Sequence, residues 1–289
     1  MTRILLTGIH GQVGHELQRT LAPLGDVVAL DRTALDLADP DSVRNTVRSL
    51  RPAIIVNPAA YTAVDKAESE LDLAMAINAT APALLAEEAQ RLGALLVHFS
   101  TDYVFDGSKA TPYVETDPTA PISSYGRSKL AGEQAIAAAG CRHLIFRTCW
   151  VYGRRGQNFL RTMLRLAGER EELRVVADQH GAPTWSRMIA ETTALALARH
   201  QGQQGIYHLC AAGETTWHGF AEAIIALAHV RGLLPRATPV RRITTAEFPT
   251  PARRPANSRL SCDRLQRDFG LSMPDWEHTL DLCLNDAQQ

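Results

Sequence analysis

The sequence predicts an α/β protein, with a Rossmann-type, doubly wound parallel sheet and a smaller C-terminal α/β lobe. In the first half of the chain, short apolar runs alternate with segments whose apolar residues recur at helical spacing. This alternation is typical of βαβ units with right-handed crossovers. The short runs are apolar almost throughout, as expected for parallel strands that carry helices on both faces.

Five strands and four helices are predicted in the first half. The strands are residues 3–8 (RILLTG), 26–31 (DVVALD), 53–57 (AIIVN), 94–100 (ALLVHFS) and 143–148 (HLIFRT), and the helices are Gln12–Leu24, Asp41–Leu50, Ser69–Leu92 and Ser124–Ala139. After about residue 150, proline and glycine become frequent and the pattern loosens. Helices at Asn158–Ala167, Ser186–His200 and Trp217–Ala228 and strands at Leu173–Ala177, Ile206–Leu209 and Pro239–Ile243 are expected there. Residues 1–150 should therefore form the Rossmann domain and residues 151–289 mainly the smaller lobe, partly interleaved with it.

Composition restricts the class of protein. The 289 residues are 45% hydrophobic, enough for one large core or two smaller ones. The 30 basic and 31 acidic side chains nearly balance, which gives no electrostatic argument for binding nucleic acid or a membrane surface. No run is long enough to span a bilayer, and the apolar part of MTRILLTG is too short for a signal peptide. The five cysteines lack a CxxC pair and favour free thiols in a reducing cytoplasm, with neither disulfides nor a bound metal.

A glycine-rich turn joins the first strand to the first helix. Gly8, Gly11 and Gly14 are spaced GxxGxxG in TGIHGQVGHEL. Glycine allows a tight turn and brings backbone N–H groups close to a pyrophosphate at the helix N-terminus. Three glycines alone are a weak signal, since close packing of a helix on a strand also favours them. Their position in the first strand–turn–helix unit is what indicates a dinucleotide cofactor.

Asp31 ends the second strand, twenty residues after Gly11 (31 − 11), where a carboxylate can accept hydrogen bonds from an adenosine ribose. A turn or helix-capping aspartate is the alternative. Arg32 leaves NADPH and NADH both open, because a carboxylate disfavours a 2′-phosphate whereas a guanidinium can pair with one. Two more loops follow strand ends, with Asp36–Leu37 expected near the adenine and Ala59–Thr62 near the middle of the cofactor.

Two further features suggest chemistry at the sheet edge. The polar segment Ser100–Tyr103 follows an apolar strand, and ligands bind at the carboxyl ends of parallel strands. Tyr125 and Lys129 lie four residues apart at the start of a predicted helix, so they share one helical face. A nearby ammonium lowers the pKa of a phenol from about 10 toward the working range and allows acid–base catalysis. The alternative is a chance pair on a solvated helix, which the accompanying motifs disfavour.

In this order, the glycine loop, the strand-end hydroxyls and the YxxxK pair resemble the extended short-chain dehydrogenases/reductases that act on nucleotide sugars. Further motifs make the chain look like the dTDP-4-dehydrorhamnose reductase family. These are TGxxGQVG (Thr7–Gly14), NxAAYTAVDKAE (Asn57–Glu68), FSTDYVFDG (Phe99–Gly107), PxSxYGxSKLxGE (Pro121–Glu133), RTxWVYG (Arg147–Gly153), Asn158–Phe159, DQxGxPT (Asp178–Thr184) and RPxxSxL (Arg254–Leu260). They extend over essentially the whole chain, and their combination is much more specific than any one of them.

The resemblance implies roles for the matching residues. Tyr125 would donate a proton, Lys129 would be its partner, and Thr101 would orient the reacting oxygen. The cofactor would be bound by Gly8, Gly11, Gln12, Val13, Gly14, Asp31, Arg32, Asp36, Leu37, Ala59, Ala60, Tyr61, Thr62, Tyr125 and Lys129. The substrate would contact Thr101, Asp102, Tyr103 and Trp150, although Trp150 could instead pack between the lobes. Ser100 is expected to satisfy local backbone groups, and Arg253, Arg254 and Arg259 are left unassigned between the substrate diphosphate and surface charge.

The implied activity is NAD(P)H-dependent reduction of the 4-keto group of dTDP-4-dehydro-6-deoxy-L-mannose to dTDP-L-rhamnose. The smaller lobe would bind the dTDP-sugar, and the enzyme would be cytoplasmic, with a homodimer left open. A dehydratase would need an Asp-Glu pair where this chain has Asp102–Tyr103. A 4-epimerase or another nucleotide-sugar ketoreductase remains open. So does a non-catalytic NADP-binding regulatory subunit, which the intact Thr101, Tyr125 and Lys129 disfavour.

Overall fold

A computed structural model describes residues 1–285 of the chain. The strands are β1 (Arg3–Leu6), β2 (Asp26–Ala29), β3 (Ile54–Asn57), β4 (Leu95–Thr101), β5 (Arg142–Thr148), β6 (Val151–Tyr152), β7 (Leu173–Val176), β8 (His180–Gly181), β9 (Thr184–Trp185), β10 (Gly205–His208), β11 (Thr215–Thr216) and β12 (Val240–Ile243). The α-helices are α1 (Gln12–Leu21), α2 (Pro40–Leu50), α3 (Leu71–Met75), α4 (Ala81–Leu92), α5 (Ser124–Ala138), α6 (Phe159–Glu169), α7 (Ser186–Ala198), α8 (Trp217–Val230), α9 (Asp263–Phe269) and α10 (Trp276–Asn285).

Six strands form the central sheet, in the order β10-β5-β4-β3-β1-β2. Every neighbouring pair in this sheet is parallel. The five strands predicted in the first half are all present, and the predicted Rossmann-type fold is confirmed. The chain leaves β1 toward β2 on one side and returns to β3 on the other. In sheets of this kind, ligands bind in the crevice at the strand ends where the order reverses.

Helices cover both faces of the sheet, which explains the uninterrupted apolar runs. On one face, Leu21 of α1 and Ile189 of α7 belong to the same core as Ile4. On the other face, Val47 of α2 shares a core with Leu5, the next residue along β1. Because consecutive side chains of a strand point to opposite faces, both sets of positions must be apolar.

The second half of the chain contributes to both parts of the molecule. Strand β10 joins the central sheet beside β5, and Tyr207 of β10 packs in the same core as Ile189 of α7. A separate core, built around Tyr152, Phe220 and Trp276, holds the smaller lobe together. Helices α9 and α10 were not among the predicted elements. The predicted helix over 69–92 is interrupted by a π-helical turn at Ala76–Thr80.

No helix within residues 1–285 is long and apolar enough to cross a membrane. In the same residues, no group of three or more His, Cys, Asp or Glu side chains is arranged to hold a metal ion.

Gly132 lets α5 lie directly against the π-helical turn, because a Cβ at this position would come within 2.1 Å of the Asn78 carbonyl oxygen. Gly168 in α6 offers a matched comparison, since a Cβ there would meet nothing within 4 Å. We predict that Gly132→Ala lowers the free energy of unfolding by about 2 kcal/mol through overpacking. Gly168→Ala should instead raise it by about 0.5–1 kcal/mol, because alanine favours the helix. Urea unfolding followed by circular dichroism measures both changes, and changes of the same sign would contradict this close packing.

Candidate active site

The residues predicted to bind ligands lie along one edge of the sheet. Thr101 ends β4 and is in register with Thr148, the last residue of β5. Gly8 follows β1, and Ala59 follows β3, at the same edge. These loops meet because the strands are parallel and their carboxyl ends point the same way.

The glycine loop makes room at the start of α1. Gly8 has a left-handed backbone (φ +61°), and a Cβ there would lie 2.8 Å from the Cα of Ala59. A Cβ at Gly14 would lie 2.2 Å from the carbonyl oxygen of Gly8. Gly11 precedes α1 without a side-chain hydrogen bond to the helix. The first N–H groups of α1 thus have no side-chain cap at their N-cap residue, which suits a phosphate.

The next two predicted loop residues, Gln12 and Val13, have structural contacts. The Gln12 Oε1 accepts a hydrogen bond from Asn158 Nδ2 at 2.9 Å, which ties the glycine loop to the start of α6. Val13 packs against the core between the sheet and α1. Gln12 therefore joins the cofactor loop to the smaller lobe.

Asp31 is held by its own turn. Its Oδ1 accepts hydrogen bonds from the Thr33 N–H at 2.9 Å, the Thr33 hydroxyl at 2.6 Å and the Ala34 N–H at 3.1 Å. The hydrogen bonds from Thr33 and Ala34 lower the pKa of Asp31 to about 2. The other oxygen, Oδ2, lies 3.4 Å from His10 Nε2. The turn-forming alternative is therefore present, and Oδ2 is the oxygen left for a ribose.

The neighbouring adenosine-side residues take different positions. The Arg32 side chain is largely exposed, with Nε 3.7 Å from Asp36 Oδ2. The Asp36 Oδ1 accepts a hydrogen bond from the Ala38 N–H at 2.9 Å. Leu37 is buried in the core beneath the loop. Arg32 therefore presents a cation to the solvent beside this loop, whereas Leu37 supports the loop from below.

The loop 59–62 is held by a residue that sequence reasoning missed. Asn78, in the π-helical turn, accepts a hydrogen bond from the Tyr61 N–H at 2.9 Å and donates one to the Tyr61 carbonyl at 2.9 Å. It also donates to Ser128 Oγ of α5 at 3.0 Å. A hydrogen bond to Glu70 raises the pKa of Tyr61 to about 12. The sequence signal for Asn78 was a lone asparagine inside an apolar helical stretch.

Lys129 lies inside the protein, one turn after Tyr125 on α5. It is 1% exposed, and its Nζ donates a hydrogen bond to the Phe99 carbonyl at 2.6 Å. His98 Nε2 lies 3.1 Å from the same nitrogen. Burial lowers the pKa of Lys129 to about 8. With this pKa the amine is mostly protonated at pH 7 and loses its proton at mildly alkaline pH.

Tyr125 stands beside the end of β4. Its ring is edge-on to that of Tyr103, with centroids 5.6 Å apart. This approach requires Gly126, because a Cβ there would lie 2.2 Å from the Tyr103 carbonyl oxygen. Burial raises the pKa of Tyr125 above its ordinary value, while a hydrogen bond with Thr101 opposes the rise. The phenol is therefore protonated at neutral pH.

Asp102 is a buried carboxyl group next to these hydroxyls. The Thr101 hydroxyl donates to Asp102 Oδ1 at 3.0 Å and accepts from the Tyr103 N–H at 3.2 Å. Burial raises the pKa of Asp102 to about 6, against hydrogen bonds from Ser258 and Thr101. Its Oδ2 is buried without a hydrogen-bond partner among the described residues. Such an unpaired acceptor is costly unless a ligand fills it.

The expectation for Ser100 was wrong. Its hydroxyl is buried and has no hydrogen-bond partner within residues 1–285. Ser100 is paired in register with Arg147 of β5, so the backbone groups around it are already engaged in the sheet. Ser100 therefore does not satisfy local backbone groups.

Trp150 packs in the smaller lobe. It has an unusual left-handed backbone (φ +47°), and its ring stacks on Trp217 with centroids 3.7 Å apart. Its other side touches Gly181, where a Cβ would lie 2.6 Å from the indole. The packing alternative is thus present, although Trp150 remains half-buried. Trp217, which donates to Gln179 Oε1 at 3.2 Å, carried no motif that could have identified it.

The three unassigned arginines do not act together. Arg254 pairs with Asp65 at 2.8 Å and interacts with the Tyr103 phenol. Arg259 pairs with Glu214 at 2.5 Å, while Arg253 is exposed. Arg254 is therefore the one of the three that borders the site.

The chain is similar to known proteins along its whole length. The family model described as the RmlD substrate binding domain matches residues 1–289. A dTDP-4-dehydrorhamnose reductase of Burkholderia thailandensis is 52% identical, covering 98% of both chains. Another from Escherichia coli K12 is 49% identical, covering 98% of this chain and 97% of its own.

A solved structure shows the same likeness in three dimensions. The dTDP-4-dehydrorhamnose reductase of Bacillus anthracis in complex with NADP is 39% identical, with a TM-score of 0.92 over 99% of this chain and 100% of its own. The family model and this solved structure both match essentially the whole chain. The chain belongs to the RmlD family, the family of these dTDP-4-dehydrorhamnose reductases.

Proposed function

We propose that this chain reduces the 4-keto group of dTDP-4-dehydro-6-deoxy-L-mannose, forming dTDP-L-rhamnose with NADPH or NADH as reductant. The observation that carries the proposal is that half-buried Tyr125 and buried Lys129 lie one helical turn apart on α5, beside Thr101 at the end of β4. The names of relatives about half identical to the chain support the substrate, and the NADP complex of a relative supports the cofactor.

The glycine loop fits a dinucleotide. Gly8 and Gly14 leave no room for side chains, and the N-terminus of α1 is open to a pyrophosphate. Asp31 Oδ2 would accept from the adenosine ribose, and Arg32 would face a 2′-phosphate. Asp36, Leu37 and the loop 59–62 would line the rest of the cofactor. When bound, its nicotinamide supplies the hydride.

The protein's own residues would handle the proton. Tyr125 donates it to the oxygen of the former ketone as negative charge develops there. The Thr101 hydroxyl, which donates to Asp102 Oδ1 in this structure, would turn to donate to that oxygen and orient it. Lys129 then stabilises the phenolate that remains, because a cation is worth most where water is excluded. The raised pKa of Tyr125 keeps it protonated before the reaction, as an acid must be.

The substrate would be held by both parts of the molecule. The unpaired Asp102 Oδ2 would accept a hydrogen bond from a sugar hydroxyl, with Tyr103 beside it. Trp150 would contact the sugar from the smaller lobe. In this proposal residues 1–150, completed by β10 and α7, bind the cofactor, and residues 151–289 mainly bind the nucleotide sugar. A cytoplasmic location is also proposed, because none of the five cysteines, all within residues 1–285, forms a disulfide bond.

The test of the activity is oxidation of NADPH and NADH with dTDP-4-dehydro-6-deoxy-L-mannose, with the product identified by NMR. Stoichiometric consumption of reductant and a 6-deoxy-L-manno product are expected. A 4-epimerase would instead keep its nicotinamide bound through dialysis and consume none. Cofactor binding without turnover would favour a regulatory subunit.

Tyr125→Phe should lower kcat by roughly 10²-fold or more, because the proton donor is lost. The dissociation constant for NADPH should change little. Tyr207→Phe is the matched control, since this buried phenol bonds Asp268 on the far side of the sheet. Steady-state kinetics and fluorescence titration measure both quantities. A parallel loss of NADPH affinity and kcat in Tyr125→Phe would make the residue structural.

The pKa of Asp102 predicts a pH dependence of stability. The folded-state pKa of about 6 lies above the ordinary value of 3.8. The Asp102 carboxyl therefore contributes fully to the free energy of unfolding below about pH 4, and this contribution is lost as the pH rises through about 6. Asp102→Asn removes this dependence. Relative to the wild type, the variant should gain up to about 3 kcal/mol of unfolding free energy between about pH 4 and pH 7. Urea unfolding at both values measures the gain, and a difference independent of pH would refute the buried carboxyl.

Arg32→Ala should raise KM for NADPH by roughly tenfold, since one exposed charge pair with the 2′-phosphate is worth about 1 kcal/mol or slightly more. The KM for NADH should stay within about twofold, because its ribose carries no phosphate. Arg19→Ala, another exposed arginine near the glycine loop, serves as the control. An equal change of KM for NADPH and for NADH would show that Arg32 does not bind the adenosine 2′-phosphate.

A further inference from the structure

A chain of polar side chains crosses the buried sheet and ends at Lys129. Thr7 Oγ1 lies 2.6 Å from Asn57 Oδ1, and Asn57 Nδ2 lies 3.2 Å from His98 Nδ1. His98 Nε2 in turn lies 3.1 Å from Lys129 Nζ. All four residues are at most 2% exposed. This row of hydrogen-bonded side chains runs from the end of β1 through β3 and β4 to α5. It lies under the edge of the sheet where the cofactor is proposed to bind.

The positions of these atoms allow one arrangement in which Lys129 is neutral. The Thr7 hydroxyl donates to Asn57 Oδ1, so the Asn57 amide donates to His98 Nδ1. The imidazole must then carry its proton on Nε2, which points at Lys129. Lys129 Nζ can accept this proton only as an uncharged amine, while it donates to the Phe99 carbonyl.

Rotation of the Asn57 side-chain amide by half a turn exchanges the positions of Oδ1 and Nδ2. It gives a second hydrogen-bond arrangement among the same side chains. Asn57 then donates to the Thr7 hydroxyl and accepts from His98 Nδ1–H. His98 Nε2 becomes an acceptor, which an ammonium at Lys129 can satisfy. The two arrangements differ by one proton on Lys129 and by the tautomer of His98.

We propose that Thr7, Asn57 and His98 are positioning residues that set the charge and direction of the Lys129 amine by changing between these two arrangements. Burial and the charge of Lys129 hold the pKa of His98 well below its ordinary value, so the ring stays neutral and responds by moving its proton between nitrogens. The consequence for turnover rests on the proposed function. The hydrogen-bond exchange itself does not.

The other groups around Lys129 leave this role to His98. On its own helix, Lys129 is near Tyr125 and Glu133, and the Glu133 carboxylate is paired with Arg147 of β5 at 2.6 Å. From β4, it meets the Phe99 carbonyl, which can only accept. Of the two groups hydrogen-bonded to Lys129 Nζ within residues 1–285, only the His98 ring can change from acceptor to donor.

The direct test is ¹⁵N NMR of the His98 ring in the enzyme without cofactor, from about two pH units below to two above the Lys129 pKa of about 8. We expect the Nδ1–H tautomer at the low end and the Nε2–H tautomer at the high end. In Lys129→Met the exchange should disappear. One tautomer throughout in the wild type would overturn the proposal, whether or not the enzyme reduces the sugar.

The kinetic test compares His98→Phe with His208→Phe. His208 is a second fully buried histidine, in β10, and bonds the Ser261 carbonyl, away from Lys129. Loss of the Nε2 acceptor destabilises the Lys129 ammonium, so the alkaline limb of the kcat–pH profile should move to lower pH by about one pH unit in His98→Phe. The limb should not move in His208→Phe. A uniform fall in kcat at every pH, matching a fall in melting temperature, would make His98 merely structural. If His98→Phe does not fold, the NMR result decides alone.

Discussion

A buried amine at Lys129 is the constraint on which the polar part of this sheet depends. An ammonium taken out of water is costly unless acceptors surround it. The structure supplies the Phe99 carbonyl and the His98 ring within hydrogen-bonding distance. A buried histidine in a strand would itself be costly, but Asn57 satisfies its second nitrogen, and Thr7 in turn bonds Asn57. Three buried polar residues of the sheet strands and their ends thus follow from one side chain of α5.

Close backbone approaches then place that side chain. Gly126 brings the start of α5 against the Tyr103 carbonyl, and Gly132 brings its middle against the Asn78 carbonyl. Asn78 also bonds Ser128 on α5 and the backbone of Tyr61. The helix that carries Tyr125 and Lys129 is therefore fixed to the loop proposed to line the cofactor. A shift of α5 would move Tyr125, Lys129 and this loop together.

The sequence predicted what short-range patterns encode. Apolar runs gave the strands and the doubly wound sheet, and spacing gave the Tyr125–Lys129 pair, because residues four apart share a helical face. Contacts between distant segments have no such signature. The stacking of Trp150 on Trp217, the hydrogen bonds of Asn78 and the unpaired Ser100 hydroxyl all depend on which segments meet after folding. Asp31 is a similar case. Its Oδ1 accepts hydrogen bonds within the turn and its Oδ2 lies near His10 of the glycine loop, and this arrangement exists only once the turn has formed.

The strand end at β4 shows why proton donation is the chemistry that this site suits. Elimination would need a base beside the strand-end hydroxyl, and the side chain after Asp102 is the phenol of Tyr103. Burial raises the pKa of Tyr103 well above its ordinary value, and its ring packs edge-on to Tyr125. A protonated phenol cannot take a proton from carbon. The groups at this edge can therefore give a proton to a ketone oxygen, which is the step that a hydride reduction requires.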